Sequence, residues 1–214
     1  DPRPCIFLRA RPRQGVNTDQ HNMGSGQTPE AVLSSVFGFD EFRLGQKGII
    51  DGLLGGENLL AVMPTGAGKS LCYQVPALIM DGLTVVISPL IALMRDQVRA
   101  LQEAGVCAGA LTSGNTEEET EAVWNAIEAG ELKLLYMAPE RLAAGSAMGM
   151  LRRIGVSLIA VDEAHCVSQW GHDFRPDYLR IGELRQALDV PLAAFTATAD
   201  SETREEIVRK LFDG

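Results

Sequence analysis

Leu59-Leu60-Ala61-Val62-Met63-Pro64-Thr65-Gly66-Ala67-Gly68-Lys69-Ser70 reads as a buried strand, a turn of small residues and the start of a helix. Small residues let backbone N–H groups curl around a phosphate, and the helix N-terminus adds partial positive charge. Lys69 is then placed to reach the β/γ-phosphates, and the Ser70 hydroxyl to ligate Mg²⁺. Thr65, Gly66, Ala67 and Gly68 form the cradle. The strict phosphate-loop pattern has glycine six residues before the lysine, where Met63 stands here. A dinucleotide fingerprint fits worse, because Gly66-x-Gly68 lacks its third glycine and carries a lysine.

Outward from this stretch, unbroken apolar runs recur at Thr84–Ser88, Ala108–Thr112, Lys133–Met137, Ser157–Val161 and Leu192–Thr196. Runs that do not alternate are how strands buried on both faces of a parallel sheet read. Helical patterns lie between them: Leu90–Glu103, Thr116–Ala129, Asp177–Leu188 and Ser201–Phe212. Thr116 and Glu119 have capping-box spacing, and Thr28-Pro29 is a further helix start. Strand–helix alternation predicts an α/β fold, an open and mostly parallel sheet flanked by helices on both faces. In such a sheet the ligand sits beyond the carboxyl ends of the strands. Those ends are polar, small or acidic: Met63-Pro64-Thr65, Ser88-Pro89, Thr112-Ser113-Gly114, Ala138-Pro139-Glu140, Asp162-Glu163-Ala164-His165 and Thr196-Ala197-Thr198.

The acidic end is the second site signal. A phosphate loop needs a nearby acid to hold its metal, and Asp162 is that partner. Glu163 is placed to orient and deprotonate a water attacking the γ-phosphate. His165 is expected to link this site to its neighbourhood. Two adjacent acids alone would read as a helix cap; paired with Lys69 they imply a nucleoside triphosphatase.

The chain has 214 residues, 46% hydrophobic and 22% charged, which excludes a disordered chain. No apolar run is long enough for a membrane span, and no membrane partner is expected. Four scattered cysteines without a CxxC pair argue against a disulfide framework or structural zinc and fit a reducing compartment. Net charge is −9, which speaks against holding nucleic acid by bulk electrostatics. Residues 1–22 carry four arginines and two aspartates, leaving 15 basic and 26 acidic side chains afterwards. With three prolines and no apolar period, residues 1–28 are expected to be a flexible lead, and residues 29–214 one domain.

Further stretches carry a resemblance. Phe37-Gly38-Phe39-Asp40-Glu41-Phe42-Arg43-Leu44-Gly45-Gln46, the segment Val62–Gln74, Ser88-Pro89-Leu90-Ile91-Ala92-Leu93-Met94-Arg95-Asp96-Gln97 and Asp162–Tyr178 resemble the RecQ family of superfamily 2 DNA helicases. The resemblance covers about residues 34–212, and Met63 is usual in that family. It implies a RecA-like phosphate-loop domain that uses ATP and Mg²⁺. Gln46 and Arg43 would contact adenine, with Phe39 stacking on the base. Ser88, Pro89, Arg95, Gln97 and Ser113 would track single-stranded DNA. The aromatic-rich loop, with Gln169, Trp170, Phe174 and Arg175, would couple DNA binding to hydrolysis, and Thr196 and Thr198 would link hydrolysis to strand separation. Aromatics in a polar loop suit stacking on unpaired bases. His165, Cys166 and His172 lack a fourth ligand for zinc.

The resemblance further implies a 3′-to-5′ DNA helicase of repair or recombination, in the bacterial cytoplasm or nucleoid or in a eukaryotic nucleus. With the chain ending at Gly214, only the first motor domain is expected, needing a second RecA-like domain as partner. Alone it is expected to bind ATP weakly and not to unwind DNA. The alternatives are a DEAD/DEAH RNA helicase, against which Ser168–Pro176 speaks, and a nucleotide-dependent switch, which could dispense with Glu163. A degenerate scaffold is opposed by intact Lys69, Ser70, Asp162 and Glu163.

Overall fold

The computed structural model describes residues 6–10, 26–143, 146–169, 173–198 and 200–212. Among the described residues seven strands form one sheet: β1 (Ile6–Ala10), β2 (Asn58–Val62), β3 (Leu83–Ile87), β4 (Ala108–Leu111), β5 (Leu134–Met137), β6 (Val156–Val161) and β7 (Leu192–Thr196). Their spatial order is β1-β2-β7-β6-β3-β5-β4. All neighbours from β2 to β4 pair in parallel, as the unbroken apolar runs predict.

The helices are α1 (Pro29–Phe37), α2 (Gln46–Leu54), α3 (Lys69–Ile79), α4 (Ile91–Glu103), α5 (Glu117–Glu128), α6 (Glu140–Ala143), α7 (Ser146–Arg153), α8 (Arg180–Leu188) and α9 (Ser201–Leu211). Thr28 caps α1 by accepting from Ala31 N–H at 3.2 Å. Thr116 and Glu119 complete the capping box on α5. Alternate residues of each strand feed two cores. On one face Ala61, Val86, Tyr136, Ala160 and Phe195 pack with Ile49, Tyr73 and Met94 from α2, α3 and α4. On the other, Leu60, Val85, Leu135, Ile159 and Ala194 pack with Ile127, Leu151, Leu184 and Ile207 from α5, α7, α8 and α9. Burial on both faces leaves the strand ends as the place for polar chemistry.

One difference concerns the lead. Within the expected flexible residues 1–28, Ile6–Ala10 pairs antiparallel with β2, Ile6 opposite Val62 and Ala10 opposite Asn58. The short apolar run at Ile6–Leu8 supplies strand-forming residues, and β2 would otherwise be an open edge. The segments α2, α6 and α7 lack a period clean enough to be read from sequence.

Asn58 ties the sheet at the other end of β2. Its Oδ1 accepts from Leu192 N–H at 2.9 Å, across 134 residues of chain, and the side chain is buried. Asn58→Ala leaves a buried N–H unpartnered, so denaturant unfolding should show a loss of about 1–3 kcal/mol with the fold retained by circular dichroism.

Candidate nucleotide site

The turn after β2 is anchored by Met63 N–H on Thr196 O at 2.9 Å. Gly66 and Gly68 have φ of 79° and 80°, a region that favours glycine. A Cβ at Gly66 would meet open space, whereas one at Gly68 would collide with the Gln46 amide. Helix α3 starts at Lys69 with no side-chain cap, so its first N–H groups are available to an anion.

Gln46, which the resemblance assigns to adenine, is 1% exposed. Its amide donates to Gly68 O at 3.0 Å and Ala67 O at 3.4 Å, and its Oε1 accepts from Arg43 N–H at 2.8 Å. The Arg43 guanidinium donates to Gly66 O. Both residues therefore meet the phosphate loop itself. Phe39 lies just past α1, half-exposed.

Asp162 follows β6 and is 9% exposed. Burial, then the neighbouring Glu163, pushes its carboxyl above the usual range, while the Lys69 ammonium pulls it back down. Strands β2 and β6 flank β7 in parallel, so the turn ending in Lys69 and the acid at Asp162 stand at the same end of the sheet. Tyr73, further along α3, is buried, and burial together with the charges of Tyr136 and Asp162 pushes its hydroxyl up. Glu163 has a left-handed φ of 49°, which costs a non-glycine residue roughly 1–2 kcal/mol. Strain at a single acid beside a phosphate loop is common where geometry serves a site.

His165 joins three elements. Its Nδ1 lies 2.9 Å from Thr196 Oγ1 and 3.3 Å from Glu163 Oε2, and its Nε2 lies 3.7 Å from Asp173 Oδ2. Thr196 Oγ1 in turn donates to Thr198 O at 2.9 Å. The expected link from His165 to its surroundings thus runs to the β7 end and to the loop. Cys166 is buried, and burial pushes its thiol up to about 11. Arg175 N–H donates to Cys166 O at 2.9 Å. Phe174 is half-buried and Gln169 exposed; Trp170 and His172 lie outside the described residues.

The remaining candidates ring the same end of the sheet with mixed duties. Ser88 is buried, its Oγ 3.5 Å from Leu90 N–H, and Pro89 is half-exposed beside it. Arg95 donates to Gly114 O, in the exposed turn that holds Ser113, and lies 3.9 Å from Glu119. Gln97 accepts from Gln74 at 2.8 Å, and the same Gln74 amide donates to Tyr136 OH at 3.1 Å. Arg95 and Gln97 thus spend polar groups on holding α4 in place.

Two residues escaped the sequence reading. Tyr178 is fully buried and donates to Asp162 O at 3.0 Å, fixing the backbone of the acidic turn. Glu206 on α9 is buried and accepts from the Ser168 hydroxyl. Tyr178 carried a signal, an aromatic hydroxyl at the end of the loop. Glu206 carried only its position beside Ile207 on the inward face of a helix.

The residues fit a nucleoside triphosphate with a divalent metal. Open space at Gly66, uncapped N–H groups on α3 and the oxygen donors of Ser70 and Asp162 suit a phosphate and a hard cation. Fold and site together define a phosphate-loop nucleotide-binding domain. Residues 43–207 match the DEAD/DEAH box helicase family, and the chain belongs to that family.

It is 51% identical over 185 residues to an ATP-dependent DNA helicase RecQ of Haemophilus influenzae, covering 86% of this chain and 30% of that protein. Identity to the RecQ of Bacillus subtilis is 46%, over 85% of this chain and 31% of that one. The chain therefore spans about a third of the curated relatives it matches. Among solved structures, a DNA-bound DUF1998 helicase, MrfA, aligns with TM-score 0.68 at 19% identity, over 96% of this chain and 31% of that one. The Mycobacterium smegmatis helicase Lhr aligns with TM-score 0.64 at 22% identity, over 87% and 26%. These two likenesses concern the fold.

Asp162 generates a test. Its acid form is favoured in the fold, so its carboxylate destabilises the nucleotide-free protein as pH rises through the folded value. Asp162→Asn keeps an acceptor for Glu163 N–H, which Asp162 Oδ1 takes at 3.0 Å. At pH 7 this variant should melt higher than the parent without nucleotide, and lose the gain in melting temperature that Mg²⁺ and a non-hydrolysable ATP analogue give the parent.

Proposed function

We propose that this chain is the nucleotide-binding half of an ATP-dependent DNA helicase motor of the RecQ kind. The observation that carries the reading is placement: the turn ending in Lys69 and the buried Asp162 follow β2 and β6, on either side of β7, at the carboxyl end of one sheet. In this reading residues 29–214 act as one domain. Backbone N–H groups of the turn and α3 hold the phosphates, and Lys69 neutralises them. Ser70 and Asp162 would hold Mg²⁺, which would supply positive charge to offset that of the phosphates. Glu163 orients and deprotonates the attacking water, and His165 keeps Glu163 in register with Thr196. Gln46 and Arg43, already on the phosphate loop, exchange part of that contact for the adenine edge, and Phe39 offers a ring to the base.

DNA is the proposed polymer. The core is acidic, so contact must come from local groups: helix and turn N–H groups, hydroxyls such as Ser113, and stacking by the loop that carries Trp170 and Phe174. Support comes from the RecQ relatives, which are named DNA helicases. Strand separation, 3′-to-5′ polarity and a role in repair or recombination belong to a longer assembly with a second RecA-like domain. Such a domain supplies the arginine finger, worth about 10³–10⁵ in rate. The protein would work wherever chromosomal DNA is, the bacterial cytoplasm or nucleoid, or a nucleus.

Two measurements test the roles. Lys69→Ala should weaken binding of a fluorescent ATP analogue roughly 10–100-fold, the worth of a charged hydrogen bond, without lowering stability. In a protein with both motor domains, Glu163→Gln should bind ATP as the parent does and lose about 10²–10⁴-fold in DNA-stimulated turnover. Turnover stimulated by single-stranded RNA and not by DNA would overturn the choice of polymer.

A further inference from the structure

A buried carboxylate outside the nucleotide site holds the entrance to the aromatic-rich loop. Glu206 on α9 is 4% exposed. Its Oε2 accepts from Ser168 Oγ at 2.7 Å and from Gln169 N–H at 3.1 Å, across 37 or 38 residues of chain. Its Oε1 lies 3.6 Å from Arg209, whose side chain is 68% exposed. Ser168 is itself fully buried, and its N–H donates to His165 O at 3.0 Å.

Physical chemistry makes this placement costly. A carboxylate taken out of water loses several kcal/mol of hydration unless donors replace it. The neighbouring inward positions of α9 are Ile207 and Leu211, so packing alone would be served by another apolar side chain. What a carboxylate supplies there is an acceptor for two donors at one point of the loop, the step between the turn bearing His165 and exposed Gln169. The far end of the loop is fixed separately, by Arg175 N–H on Cys166 O and Tyr178 OH on Asp162 O.

We propose that Glu206 is a positioning residue for DNA engagement: it fixes the backbone of Gln169, and so the point from which the loop leaves the DEAH turn, without touching nucleotide or DNA. The inference rests on the reading that this loop meets single-stranded DNA. It predicts a split. Loss of the carboxylate should weaken the DNA side and spare the nucleotide side, because Lys69, Ser70 and Asp162 are held by other contacts.

The test uses the 214-residue chain as parent with Glu206→Ala, Glu206→Gln and Ser168→Ala. Three readouts are taken: amide hydrogen exchange at Gln169, binding of fluorescein-labelled oligo-dT, and binding of a fluorescent ATP analogue with Mg²⁺. Glu206→Ala should speed Gln169 exchange by roughly tenfold or more, the loss of one charged hydrogen bond, and weaken oligo-dT by about fivefold or more. ATP-analogue affinity should stay within about twofold. Glu206→Gln keeps an acceptor oxygen and should rescue both losses, and Ser168→Ala should fall between.

Unchanged Gln169 exchange in Glu206→Ala overturns the proposal, as does faster exchange with unchanged oligo-dT affinity. Parallel loss of oligo-dT and nucleotide binding with a lower melting temperature means a merely structural role and overturns it too. A parent that binds no oligo-dT, with or without nucleotide, contradicts the DNA reading itself and takes the functional half of this inference with it; the exchange readout still decides whether Glu206 holds the loop.

Discussion

A carboxylate pressed out of water needs a cation in reach, and for Asp162 that cation is Lys69. Burial and the adjacent Glu163 drive the acid toward its neutral form; Lys69 opposes them. Burying that charge costs free energy, and the proposed metal and nucleotide would offset the cost. Much of the surrounding structure serves to keep the pair in place. Tyr178 fixes the Asp162 carbonyl, Asp162 itself accepts from Glu163 N–H, and Met63 N–H on Thr196 O joins the phosphate turn to the end of β7. Helix α3 is backed by the Tyr73–Phe195 ring pair, centroids 5.6 Å apart.

The sheet explains why chemistry gathers at one end. Strands β2 to β7 are buried on both faces, so polar side chains are few along them, as at Asn58 and Thr84, and gather where the strands stop. Two contacts then carry geometry outward from the cleft. His165 touches Glu163, Thr196 and the loop acid Asp173 within 3.7 Å. Gln74 on α3 joins Gln97 on α4 and Tyr136 on β5. A displacement of α3 or of the acidic turn on nucleotide binding therefore has rigid partners to push against.

Much of this was legible in sequence, for a physical reason. Apolar runs at 84–88, 133–137 and 157–161 are long, unbroken and punctuated by polar ends, and they fall within a residue or two of β3, β5 and β6. The turn before Lys69 and the acids at 162 and 163 stand out because their residue types are rare at strand ends unless chemistry needs them. What stayed hidden depends on contacts far apart in the chain. The lead strand β1 exists because β2 offers an edge, and no local period announces it. Gln46 reads as a surface helix residue; only the approach of Gly68 buries it. Glu206 looks like one more acid on an amphipathic helix until Ser168, 38 residues earlier in the chain, is set against it. Arg95 and Gln97 sit in a stretch that resembles a DNA track, yet their polar groups answer Gly114 and Gln74.

The central claim is that Ser70 and Asp162 hold one ion beside one triphosphate. A double-mutant cycle on the affinity for Mg²⁺ and a non-hydrolysable ATP analogue, using Ser70→Ala, Asp162→Asn and the pair, tests it most directly. Ligands of one ion are coupled, so the double variant should bind more tightly than the product of the single losses predicts, by about 0.5–3 kcal/mol. Losses that multiply without coupling would mean that the two side chains serve separate sites.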